Sequence, residues 1–201
     1  SSIANSKRHS YFVDYSVALN SALRNAHDTL QPVLMLGRYG MSYENSTEPK
    51  KLGRWAEAKG VKVVYSPRLS FQDDVDKGLM KKGVTGFNHR QGPFLRLDIP
   101  KMIKEHGLLD LPNVCKRHVL YTDVDVMFAN DITMRDIELL SESVGEGVFS
   151  YGREYSKSAH IFNTGVMVMN VKRLDYEMPK IIEYAKSQDT YPRHDQKMLN
   201  G

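Results

Sequence analysis

Two aspartates spaced by one residue, Asp123 and Asp125, are the residues of this chain best suited to chemistry. They sit in RHVLYTDVDVMFAN, residues 117–130, between the apolar runs Val119-Leu120-Tyr121 and Val126-Met127-Phe128. Side chains alternate faces along a strand, so in extended backbone both carboxylates point the same way. Converging carboxylates repel unless a positive charge stands between them. A divalent cation with oxygen ligands, Mg2+ or Mn2+, supplies that charge and keeps coordination positions open for a phosphate. The plain alternative is a solvated turn between two strands, and the apolar run on each side argues against it.

Two further stretches carry polar groups in apolar company. Arg96 lies within Phe94-Leu95-Arg96-Leu97. A guanidinium there calls for an anionic partner, a phosphate or a carboxylate, unless it sits on an exposed polar stripe. In Phe162-Asn163-Thr164-Gly165-Val166 the glycine allows close backbone approach to a ligand, and the Asn163 amide can both donate and accept. The same glycine alternatively marks a bulge. The acidic cluster Asp73, Asp74 and Asp76 reads as a solvated helix start rather than a second metal site.

The elements that must position these groups follow from periodicity. Ile3 to Asn5 reads as a short first strand. Apolar and small residues at Val13, Val17, Ala18 and Ala22 predict an amphipathic helix over Tyr11 to Ala26. Val33 to Leu36 is a buried strand, a helix begins near Pro49 and is capped by Gly60, and Val61 to Tyr65 is a third strand. That order predicts a mostly parallel central sheet flanked by crossover helices. Ser66 to Gly92 is a long glycine-bearing excursion, a length that marks either function or a surface loop. Gly92 to His106 is helical with Pro100 as a kink. Thr133 to Leu140 and Leu174 to Ser187 are helices, with strands at Gly147 to Ser150 and Val166 to Val171.

The 201 residues amount to one domain, and 41% hydrophobic content is enough for a core. A net charge of +4, dispersed along the chain, gives no sign of a nucleic-acid tail. Cys115 is the only cysteine, so neither an internal disulfide nor a cysteine-built zinc site can form. No stretch has the apolar length of a membrane span or the pattern of a signal peptide, and the expectation is a cytoplasmic protein or a soluble domain cut from a larger one.

Taken in order, these runs resemble the GT-A glycosyltransferases, and more closely glycosyltransferase family 8. Tyr11 to Leu23 is similar to that family's first helix, Phe94-Leu95-Arg96-Leu97 to its arginine segment, and Leu120-Tyr121-Thr122-Asp123-Val124-Asp125 to its metal motif. Phe162-Asn163-Thr164-Gly165-Val166 resembles its sugar-site turn, and Asp195-Gln196 with Leu199-Asn200-Gly201 the motif that closes its active site. The resemblance implies a GT-A nucleotide-diphospho-sugar transferase fold of α/β class, a UDP-sugar donor, Mn2+ or Mg2+, a glycan or protein-linked acceptor, and transfer of a hexosyl or deoxyhexosyl group with retention. A small viral enzyme acting on capsid glycans would suit the compact size.

The resemblance assigns the metal to Asp123 and Asp125, and donor binding to Ser6, Tyr11, Arg96, Thr122, Asp123, Asn163 and Thr164. It assigns catalytic positions to Asp195 and Gln196. Three departures stand out. The family's third metal ligand, a histidine, comes from a segment past Gly201, with His160 and His194 as the substitutes at hand. Ser6-Lys7-Arg8-His9 replaces the acidic residues expected after the first strand, and Ser150 to Glu154 has no counterpart to the family's donor-sugar aspartate. A sugar nucleotidyltransferase and a non-catalytic nucleotide-sugar binding domain are the alternative readings; the first lacks a glycine-rich, lysine- or arginine-bearing phosphate loop.

Overall fold

The computed structural model describes residues 11–26, 29–37, 47–66, 68–74, 77, 94–111, 117–153 and 162–187. The expected first strand at Ile3 to Asn5 lies outside them, as does most of the excursion from Ser66 to Gly92. Helix α1 (Tyr11–Asn25) leads to strand β1 (Val33–Gly37), helix α2 (Thr47–Ala58) and strand β2 (Lys62–Ser66). β1 and β2 pair in parallel, with Leu34 opposite Val63 and Met35 opposite Val64. Alternation then divides their side chains. Leu34, Leu36 and Val63 meet α1 and α2 through Leu19, Leu23, Leu52 and Ala56, while Val33, Met35 and Val64 face the second half of the chain. α2 closes where expected: Gly60 takes φ +78°, and the Val61 N–H reaches back to Ala56 O at 3.0 Å.

A 3-10 turn (Leu95–Asp98) runs straight into helix α3 (Ile99–Glu105). Pro100 therefore sits in the first helical turn, where its missing N–H costs nothing, rather than kinking a longer helix. Leu95, Leu97, Ile99, Met102 and Ile103 are all buried. Strand β3 (His118–Thr122) precedes helix α4 (Met134–Val144), strand β4 (Phe149–Arg153), strand β5 (Phe162–Asn170) and helix α5 (Val171–Ser187).

The second sheet corrects the parallel expectation. β5 lies between β3 and β4 and is antiparallel to both, so among the described residues only the β1–β2 pair is parallel. Chain length explains the β4–β5 pairing: only residues 154–161 join these strands, shorter than the dozen or so that a parallel crossover requires. Met167 and Met169 on β5 pack with Val64, Met102 and Leu174, which joins the two sheets through one apolar core.

Candidate functional site

The site forms where β3 ends. After Thr122, which is paired with Val166, the Asp123 N–H donates to Gly165 O at 2.7 Å. The backbone then turns, with the Val126 N–H donating to Asp123 O at 3.1 Å. This departs from the extended backbone expected for the motif, and Val126-Met127-Phe128 does not resume as a strand. Phe128 and, beyond it, Ile132 find partners on α1 instead. The Phe128 N–H donates to Ser21 Oγ at 2.9 Å, Asn25 Nδ2 donates to Phe128 O at 2.5 Å, and the Ile132 N–H donates to Asn25 O at 2.7 Å. The two aspartates consequently differ. Asp123 is half-buried, whereas Asp125 is exposed on the turn.

Arg96 reaches Asp123 from the 3-10 turn. It is buried to 3% exposure, flanked by Leu95 and Leu97, and its Nη2 lies 3.1 Å from Asp123 Oδ1. Its Nη1 donates to the Thr164 carbonyl, and its guanidinium carbon stands 4.5 Å from the centre of the Tyr121 ring. The exposed-stripe alternative for this arginine is thereby excluded. Two residues on, Asp98 is equally buried and accepts the Ser70 N–H at 2.8 Å, which fixes the turn against the segment after β2. A buried cation in this position is tolerable because a carboxylate and a carbonyl share its charge.

Tyr121 completes the corner, donating its hydroxyl to Asp123 Oδ1 at 2.6 Å. In the sequence it reads as a strand residue only. The spacing that drew attention to Asp125 was the available signal: a residue two positions before Asp123 shares its face of β3. Gly165 accounts for the other oxygen. A Cβ built there would stand 3.1 Å from Asp123 Oδ2 and 2.9 Å from Asn163 Oδ1, so glycine is what leaves Oδ2 open. Asn163 is exposed and its Oδ1 accepts the Gly165 N–H at 2.7 Å, while Thr164 is buried. The Asn163-Thr164-Gly165 run does not interrupt β5. Its irregularity appears against β4, where Tyr151 faces Met167 and Gly152 faces Asn163.

Of the remaining predicted site residues, Ser6, Asp195 and Gln196 lie outside the described residues, as do His160 and His194, and Tyr11 opens α1 with its side chain likewise outside them. A cavity of about 840 Å³, lined by residues of α1, β1, α3 and β3, extends to Arg96, Asp123 and Asp125. Among the described residues no group of three or more His, Cys, Asp or Glu converges. No described helix is long and apolar enough to cross a membrane.

Helices packed on one parallel strand pair and one antiparallel sheet give the chain a fold similar to that of solved glycosyltransferase structures. Among the solved structures it is similar to are those of the glycosyltransferase GlyE from Streptococcus pneumoniae TIGR4 and of its apo form. Each aligns at TM-score 0.55 and 19% identity over 96% of this chain, which spans 40% of the length of those proteins. No family model matches the sequence, and no curated protein matches it.

Proposed function

We propose that this chain is the donor-binding part of a metal-dependent glycosyltransferase that moves a hexosyl or deoxyhexosyl group from a UDP-sugar to a glycan or protein-linked acceptor with retention. The observation that carries the reading is Asp123 itself, held through Oδ1 and open at Oδ2, on a fold shared with a glycosyltransferase. The donor set suits Mg2+ or Mn2+: two hard carboxylates, one of them beside a space that a Cβ would fill. Such ions take one or two protein carboxylates and complete their shells with water and substrate phosphates. Bound there, the ion would supply positive charge to offset that of the leaving nucleoside diphosphate.

The chain's own residues have separate tasks in this reading. Arg96 and Tyr121 fix the Asp123 carboxylate, and Thr164 fixes Arg96 through its carbonyl. Asn163, with Oδ1 engaged on Gly165, has its Nδ2 to offer a sugar hydroxyl. Asp195 is assigned to sugar hydroxyls and Gln196 to the face beneath the anomeric carbon. An amide is a poor nucleophile, so the acceptor oxygen attacks from the leaving group's side. The anomeric carbon–oxygen bond to phosphate breaks with its electron pair going to phosphate, and the departing phosphate takes the acceptor's proton.

Incubating the protein with a panel of UDP-sugars, Mn2+ and glycan acceptors tests this directly. Release of UDP with formation of a glycoside, abolished by chelator, is the expected result. Pyrophosphate release from a nucleoside triphosphate and a sugar phosphate would make it a nucleotidyltransferase. Donor binding without transfer or hydrolysis would make it a binding domain.

A further inference from the structure

We propose that Tyr121 sets which cation this site accepts, by making Asp123 a one-oxygen ligand. The inference rests on the cation site proposed above and adds to it the residue that determines its selectivity. A carboxylate oxygen has two lone-pair directions. On Asp123 Oδ1 both are engaged, by the Tyr121 hydroxyl at 2.6 Å and by Arg96 Nη2 at 3.1 Å. A cation approaching that oxygen would have to displace a hydroxyl and come close to a buried guanidinium, whose charge repels it. Oδ2 is different: among the described residues no donor reaches it, and Gly165 presents no side chain in its way. Chelation through both oxygens is closed, and binding through Oδ2 alone is open.

That distinction separates cations. Ca2+ takes six to eight oxygens and readily uses a carboxylate through both, whereas Mg2+ and Mn2+ favour compact octahedra. A carboxylate pinned by one oxygen therefore disfavours Ca2+. Arg96 contributes charge and burial to the arrangement, and its 4.5 Å stacking on the Tyr121 ring holds both in place. The hydroxyl is the separable part. Tyr121→Phe keeps the ring beneath the guanidinium and frees one lone pair of Oδ1. Because the Asp123 side chain is 40% exposed, water can take the vacated position and the fold is retained.

The test compares affinities of Mn2+ and Ca2+, each measured by calorimetry in the presence of UDP, for the wild type and Tyr121→Phe. Thermal melting checks that both proteins are folded. The wild type should prefer Mn2+. In the variant the preference should fall roughly tenfold, the factor one hydrogen bond to a charged group is worth, because Ca2+ gains a second oxygen and Mn2+ does not. A tyrosine that only supports the fold would leave the ratio unchanged, whatever happened to the separate affinities, and an unchanged ratio overturns the inference alone. Failure of the wild type to bind either cation with UDP overturns the cation site itself, and this inference with it.

Discussion

Two aspartates on either side of one connection, Asp123 just past β3 and Asp136 in the first turn of α4, show how differently one side-chain type can be used. Asp136 is satisfied by its neighbours. Its Oδ2 accepts the Thr133 N–H at 2.9 Å and the Thr133 hydroxyl at 2.6 Å, and the Asp136 N–H returns to Thr133 Oγ1 at 3.3 Å. This is a capping box closed within three residues, and it would form wherever that sequence began a helix. Asp123 is held by its neighbour Tyr121 and, from a distance, by an arginine 27 residues away that is itself tied to a carbonyl 68 residues from it. Local partners finish a helix end; remote partners can hold a carboxylate in place with one oxygen left open. The second arrangement is the one a ligand site requires.

The largest expected effect breaks the remote arrangement. Asp123→Ala leaves Arg96 buried without its carboxylate, and urea denaturation should show a loss on the order of 2–3 kcal/mol, since water reaches only part of the vacated space. Arg96→Met should cost less, although Arg96 is the more buried of the two, because a half-exposed Asp123 can be hydrated. Equal losses would mean that the pair does not balance as described. Gly165→Ala comes next. Its new methyl meets Asn163 Oδ1 and then Asp123 Oδ2, and overpacking of this kind costs about 1–2 kcal/mol. The same variant should lose Mn2+-dependent stabilisation by UDP; full retention would mean that Oδ2 is not the open oxygen.

The local arrangement gives smaller effects. Thr133→Ala should cost about 1 kcal/mol, the usual worth of such a cap, with no change in cation or UDP binding. Acid dependence is smaller still. The Thr133 hydroxyl, and then its N–H, hold the Asp136 carboxyl below its ordinary value of 3.8. Its contribution to stability is thus present above that value and is lost as pH falls below it, through the depressed folded value. Asp136→Asn should flatten that part of the acid-unfolding curve, and an unchanged curve would contradict the assignment.

Much of the fold was legible wherever the signal was local. The spacing of small and apolar residues marked α1, Gly60 marked the end of α2, and the β1–α2–β2 succession marked its parallel pair. Strand direction in the second sheet was not readable from apolar periodicity, because a run such as Val166 to Asn170 looks the same in either direction; the length of the β4–β5 connection held the answer for that pair alone. The turn at Asp123 to Val126 was hidden because Val126 to Phe128 has strand-like composition, and only the tertiary bonds to Ser21 and Asn25 draw it elsewhere. At the site, Asp123 and Arg96 stood out as polar groups in apolar company. Tyr121 did not, since an aromatic residue in a strand needs no further explanation until its hydroxyl is seen on a carboxylate.

In the proposed site Asp123 and Asp125 together hold a divalent cation with a nucleoside diphosphate, and Asp125→Asn tests this with the least disturbance. Asp125 is exposed, and among the described residues no hydrogen bond or ion pair engages its side chain. The variant should melt at the wild-type temperature without ligands and lose most of the additional stabilisation that Mn2+ gives in the presence of UDP. A variant that keeps the full Mn2+-dependent shift would show that the cation is not bound at this pair.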